Sequence, residues 1–160
     1  MLRSILITSL VGLMMVFACV VYAAEKSQPI QIKSENAEYI GEKKIFRYTG
    51  NVEVTKKGLK MTSNIMDVFF TEDQDIREIF SKGDVRIEKE GMLALSEEAR
   101  FFQNEQKVIL TKNVRVWQDG NLIEGEKVTA FLDSNNILIE RGKNKDKRVR
   151  VIITPKEETE

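Results

Sequence analysis

The sequence predicts an all-β protein: a twisted antiparallel sheet folded over on itself into a V-shaped trough of about four repeats. Three observations carry that prediction. Apolar and polar residues alternate with period two in Val52-Glu53-Val54, Val85-Arg86-Ile87 and Val114-Arg115-Val116, as in half-buried strands. No stretch beyond residue 28 has the length or the 3.6-residue periodicity of a helix. One turn-plus-strand motif also recurs along the chain at nearly constant spacing.

The first 24 residues are a different material. Arg3 is their only charge, an apolar run fills residues 5–21, and Val21-Tyr22-Ala23 precedes Ala24-Glu25. A short basic end, a hydrophobic middle and small residues at a cut site form a secretory signal over residues 1–23. Cleavage after Ala23 leaves one domain over 24–160, its core at 29–155, and removes the only cysteine, Cys19. Two other readings stay open. The apolar run approaches the roughly 20 residues that span a bilayer, which would make it an uncleaved anchor. Val16-Phe17-Ala18-Cys19 also resembles the box before a lipidated cysteine. Each reading places the remaining chain outside the cytoplasm.

Pro29 and Pro155 bracket the β region and no proline interrupts it. Within it, Tyr48-Thr49-Gly50-Asn51-Val52-Glu53-Val54 recurs as Phe80-Ser81-Lys82-Gly83-Asp84-Val85-Arg86-Ile87. A third copy reads Leu110-Thr111-Lys112-Asn113-Val114-Arg115-Val116, with Lys112 in place of the glycine. The Gly-Asn and Gly-Asp pairs are turn formers, because both residue types tolerate positive φ. Lys56-Lys57-Gly58 reads as a hairpin tip. Twelve residues after each Asn or Asp stands a second landmark, Ser63, Ser96 and Gly125, with Ser34 as a fourth copy; the spacings are 29, 33 and 29 residues. The acidic turn Thr71-Glu72-Asp73-Gln74-Asp75 accounts for the longer middle interval. Side-chain parity changes across each landmark, so a bend or bulge is expected there.

Apolar residues keep matching positions around the landmark: Ile32, Met61, Ala94 and Ile123 before it; Ala37, Met66, Ala99 and Val128 after it. Tyr39, Val68, Phe101 and Ala130 follow, and then Phe46, Ile79, Val108 and Ile137. Stacked rungs of this kind line one continuous apolar face. Aligned apolar columns are ordinarily core, and the bare pattern does not distinguish a filled core from a groove.

The remaining composition is restrictive. Lys plus Arg and Asp plus Glu both number 25, so the basic excess expected of a nucleic-acid binder is missing. There is no histidine, which removes His-based triads and most zinc sites, and one cysteine allows no intrachain disulfide. Acidic pairs such as Glu97-Glu98 point to opposite faces of a strand. No enzyme activity, metal or cofactor is expected.

From Pro29 onward the residues resemble the OstA-like (LptA) family of periplasmic lipopolysaccharide transport proteins. The resemblance rests on Tyr48-Thr49-Gly50-Asn51-Val52-Glu53-Val54, Ser63-Asn64-Ile65-Met66-Asp67-Val68, Leu110-Thr111-Lys112-Asn113-Val114 and Gly125-Glu126-Lys127-Val128. The opening Pro29-Ile30-Gln31-Ile32-Lys33-Ser34 and the closing basic segment also match. It implies an OstA-like β-jellyroll that binds lipopolysaccharide, holds the acyl chains in an apolar groove and moves the lipid from the inner to the outer membrane. It also implies head-to-tail homo-oligomers, an LptC-like inner-membrane partner and an LptD-like outer-membrane translocon. An anchored LptC-like component, or a secreted structural β-repeat protein, is the alternative.

On this reading the groove is lined by Val52, Val54, Met66, Val68, Val85, Ile87, Ala99, Phe101, Val114, Val116, Val128 and Ala130. The basic stretch Arg141, Lys143, Lys145, Lys147, Arg148 and Arg150 is either a solvated edge or a contact for lipid phosphate or a partner. Lys143, Lys145, Lys147 and Arg148 are the candidates for that contact. Trp117 has parity opposite to Val114 and Val116 and is expected to be half-exposed.

Overall fold

A chain whose apolar residues alternate, and whose turns are short, pairs each strand with the next. The structure, a computed structural model, describes residues 29–134, 136–142 and 148–154. The expectations for residues 1–23, Cys19, Lys143, Lys145, Lys147 and Pro155 lie outside the described residues. Among the described residues ten antiparallel strands form one sheet: β1 (Gln31–Lys33), β2 (Asn36–Ile40), β3 (Ile45–Lys56), β4 (Leu59–Phe70), β5 (Ile76–Lys89), β6 (Met92–Phe102), β7 (Lys107–Gln118), β8 (Asn121–Phe131), β9 (Asn136–Glu140) and β10 (Arg150–Ile152). The order runs β1-β3-β4-β5-β6-β7-β8-β10, with β2 also on β3 and β9 also on β8. The all-β trough is the observed architecture.

The six long strands β3 to β8 are each interrupted at mid-length by a register shift. On β3 it falls between Thr49 and Val52, on β5 between Lys82 and Val85, and on β7 between Thr111 and Val114. The facing strand shifts at the landmark, between Thr62 and Ile65 on β4 and between Leu95 and Glu98 on β6. Two residues therefore oppose one, and the sheet bends along a single corner row. The expected bulge at the landmark is thus present. The Gly-Asn and Gly-Asp pairs do not end hairpins: they are the other side of this corner, inside continuous strands. Gly50-Asn51, Gly83-Asp84 and Lys112-Asn113 all have positive φ. The hairpin tips are instead Lys57-Gly58, Glu90-Gly91 and Asp119-Gly120, where both residues again have positive φ, matching the right-handed twist of the flanking strands.

The landmark serine has a specific task. Its hydroxyl donates across the bulge to the carbonyl two residues on: Ser34 to Asn36 at 2.9 Å, Ser63 to Ile65 at 3.2 Å and Ser96 to Glu98 at 3.0 Å. This local bond spans the point where the ladder shifts register and holds the bulged backbone in place. Gly125 cannot use the same device: a Cβ there would lie 2.9 Å from Ile139 Cγ2 and 3.2 Å from the Glu140 carbonyl, at the end of β9.

The corner glycine is equally constrained. At Gly83 φ is +81° and a Cβ would meet Asn64 Cβ at 2.9 Å, whereas at the Gly91 tip φ is also +81° but nothing lies within 4 Å. Left-handed strain alone costs about 1–2 kcal/mol, so Gly91→Ala is expected to lose about that much. Gly83→Ala adds the collision and is expected to lose about 2–4 kcal/mol. Urea denaturation of the two variants measures the difference; equal losses would mean that the corner gives way freely.

Candidate functional site

The corner row divides the sheet into two flaps. The first holds β1, the second halves of β3, β5 and β7, the first halves of β4, β6 and β8, and β10. The second holds β2, the complementary halves of the long strands, and β9. Their apolar faces pack on each other. One buried cluster joins Val52 and Val54 of the first flap to Met66 and Val68 of the second; another joins Val85, Ala94, Val114 and Val116 to Ala99, Leu110 and Val128.

Register resolves the interior into rows. Beside the corner, the second flap carries Tyr48, Met66, Ser81, Ala99, Leu110, Val128 and Ile139 in cross-strand succession. One step further from the corner run Tyr39, Phe46, Val68, Ile79, Phe101, Val108, Ala130 and Ile137. Two columns read separately from the sequence interleave here into one row, because adjacent antiparallel strands contribute alternate members.

Burial falls with distance from the corner. Met66 is 0 % exposed, and Val52, Val85 and Val114 are 1 % exposed. Val54, Val68 and Val116 are also buried, while Ile87, Phe101 and Ala130 are only half-buried. The twelve expected lining residues therefore all face the interior, but in two depths. Val52, Met66, Val85, Ala99, Val114 and Val128 form a closed floor. Val54, Val68, Ile87, Phe101, Val116 and Ala130 form the level nearer the flap tips. Interior residues outside that set, such as Ile79, Val108 and Ile123, pack beside them. Their period-two parity was the signal for them.

Among the described residues both ends of the interior are uncovered. Tyr39 and Ile137, whose row is buried at Val68 and half-buried at Phe46, Ile79, Phe101, Val108 and Ala130, are 55 % and 52 % exposed because each lies on an outermost described strand. Arg148 is described and exposed, beside β10. Trp117 is half-buried on the outer face, with the Arg115 guanidinium 5.5 Å above its ring.

The outer faces are held by cross-strand charge pairs. Arg47 grips Asp67 with two hydrogen bonds of 2.7 Å, which raises the guanidinium further above its ordinary value. Lys60 donates to Glu53 at 2.8 Å and Lys112 to Glu98 at 2.7 Å. Those hydrogen bonds hold Glu53 and Glu98 below the usual carboxylate range and push Lys60 and Lys112 up. Stability from a lowered carboxylate is present above its unfolded-state pKa and is lost as pH falls through the folded value. Stability from a raised lysine is lost only as pH rises through its folded value. The melting temperature is therefore expected to stay level between about pH 5 and pH 9 and to fall below about pH 4. Glu53→Gln with Glu98→Gln should flatten part of the acid limb in circular-dichroism melts.

Among the described residues no group of three or more acidic, Cys or His side chains is placed to hold a metal ion, and no helix is long and apolar enough to cross a membrane. The described residues form an apolar interior open at both ends, with strand edges that no other described strand pairs.

Comparisons with known proteins agree on one kind of molecule. A family model described as "LptA/(LptD N-terminal domain) LPS transport protein" matches residues 31–136. The lipopolysaccharide export system protein LptH of Pseudomonas aeruginosa is 24% identical over 151 residues, covering 86% of this chain and 85% of that protein. The crystal structure of LptH, titled as the LptA-homologous periplasmic component of the lipopolysaccharide transport device of that organism, superposes with a TM-score of 0.71. That match has 23% identity and covers 80% of this chain and 96% of the other, and it shows a shared fold.

Proposed function

The chain belongs to the LptA/LptD N-terminal domain family of lipopolysaccharide transport proteins, and from that premise we propose that it is a periplasmic carrier and bridge for lipopolysaccharide. The observation that carries the proposal is the apolar interior with both ends uncovered. Acyl chains leave water in such an interior at a gain of about 0.8 kcal/mol per methylene group. The sugar head stays outside. No covalent chemistry is needed, and the protein acts by burial alone.

Bridging follows from the edges. Among the described residues β1 and β2 at one end, and β9 and β10 at the other, have neighbours on one side only. Unpaired edges accept strands from another copy. The C-terminal end is also apolar, with Leu138, Val151 and Ile152 exposed besides Ile137. Joining different ends is a heterologous contact that produces linear chains rather than closed dimers. In the export system the outermost copies would meet an LptC-like inner-membrane protein and an LptD-like translocon. Residues 1–23 would direct the chain to the periplasm as a cleaved signal.

Light scattering tests the assembly. Its mass-average value is expected to rise steadily with concentration through several multiples of the monomer. Ile137→Lys, which places a charge on the exposed edge, is expected to hold the protein near monomer mass. A wild-type protein that stays monomeric at every concentration would overturn the bridge.

A further inference from the structure

The repeats allow side-chain size to be compared at matched positions of the interior. Phe46 stands where later repeats place Ile79, Val108 and Ile137, and Tyr48 where they place Ser81, Leu110 and Ile139. Ala130 in turn occupies the position that Tyr39 holds in the first repeat. Ring bulk is therefore gathered at one end. Tyr39, Phe46, Tyr48 and Phe70 form a cluster centred on Phe46, whose ring centroid lies 4.9 Å from Tyr39, 6.0 Å from Tyr48 and 6.2 Å edge-on from Phe70. From β5 onward the described inner rows hold one ring, Phe101, and it contacts no other ring among the described residues.

The core divides at the same place. The buried cluster of β3 and β4 has Phe46, Tyr48 and Phe70 packed on it, whereas no ring packs on the cluster of β5 to β8. Ser81 lies between Met66 and Ala99 in the row beside the corner, and its hydroxyl donates to Met61 Sδ at 3.8 Å. Cover differs too. In the row one step from the corner, Val68 has Phe46 opposite it and Phe70 beyond it, and is 3 % exposed. Phe101, Val108 and Ala130 of the same row are half-buried. One half of the trough is filled by the protein's own rings, while the other keeps its upper level open to water.

We propose that the ring cluster is a stop: acyl chains lie in the half of the trough built by β5 to β10, and Phe46 bars them from the half built by β1 to β4. The proposal rests on the carrier reading above and adds to it where the chains lie and which residue limits them. A chain gains by leaving water only where there is room for it. Around Val68 and Met66 it would have to part close-packed side chains and edge-to-face rings. Beyond β5 it displaces water instead, beside the small side chains of Ala99 and Ala130. The five strands β5 to β9 span about 19 Å, room for an extended fatty-acyl chain along the trough.

Contacts between myristic acid and the mature chain test this placement. Protonated myristic acid, below its micelle-forming concentration, is added to perdeuterated protein with protonated Ile, Val and Met methyls, and intermolecular nuclear Overhauser cross-peaks are recorded. In the wild type, cross-peaks are expected at Ile87, Val108 and Ile139 and absent at Val54, Met66 and Val68. Phe46→Ala should extend them to Val54 and Val68, because the stop is gone. Ala130→Phe, which puts a ring into the open half at the position matched to Tyr39, should abolish those at Val108 and Ile139. Cross-peaks spread evenly over both halves of the wild type would overturn the stop and leave the carrier reading intact, as would a Phe46→Ala pattern identical to the wild type. Cross-peaks at no interior methyl of the wild type would overturn both.

Discussion

Met66→Ala is expected to lower the free energy of unfolding by about 3 kcal/mol and the melting temperature by about 10 °C. Met66 is fully covered, sits between Tyr48 and Ser81 in the row beside the corner, and joins Val52 and Val54 of the other flap to Val68 of its own. Truncation removes three buried heavy atoms and leaves a cavity, because the bent strands on either side are locked by their own ladders. For a domain with about 5–15 kcal/mol of total stability this is a large fraction. Tyr39→Ala, at the same inward parity but on an outermost strand, is expected to cost less than about 1 kcal/mol. Urea denaturation of both variants separates the cases. A loss below about 1 kcal/mol at Met66 would mean that the floor is open to solvent and belongs to the lining.

The second large effect is on transport. Ala130→Asp is expected to reduce lipopolysaccharide passage at least tenfold while the protein remains folded. Ala130 is half-buried in the level nearer the flap tips, between Val108 and Ile137. There a carboxylate keeps enough water for the fold to survive, but a passing acyl chain must strip that water at a cost of several kcal/mol. A photo-crosslinking side chain at Phe101, in the same row, should capture lipopolysaccharide when the export machinery runs on ATP. At Arg100 it should capture much less. Arg100 points to the outer face, where it is bonded to Glu78 and lies 4.4 Å over the Phe80 ring. Equal capture on both faces, or none at Phe101 while transport proceeds, would leave the interior as ordinary core.

Much of this molecule was legible in its residues. Strand alternation and the four landmarks yield the all-β class, about four antiparallel repeats and the positions of the bends, because all of these are local. Backbone φ at Gly83 and the hydroxyl bond of Ser96 depend on neighbours within a few residues or on the adjoining strand. Lys56-Lys57-Gly58 was likewise legible as a hairpin tip. Its neighbour was not, because Lys89 lies about thirty residues further along and comes alongside only when β4 pairs with β5.

Sequence alone determined which residues face inward, since parity along a strand is a property of the chain. It did not determine how deep each one lies. Val52 and Val54, or Met66 and Val68, have the same chemistry and the same parity; distance from the corner separates floor from upper level, and the corner closes only when both flaps meet. Nor does an apolar column reveal which of its members end a sheet. Tyr39 and Ile137 have the inward parity of the covered Val68 and the half-buried Phe101 and Val108, yet they are exposed because no described strand lies beyond them. Only tertiary structure decides where pairing stops, because an edge is defined by the absence of a neighbour, and that absence leaves no mark on the residues themselves.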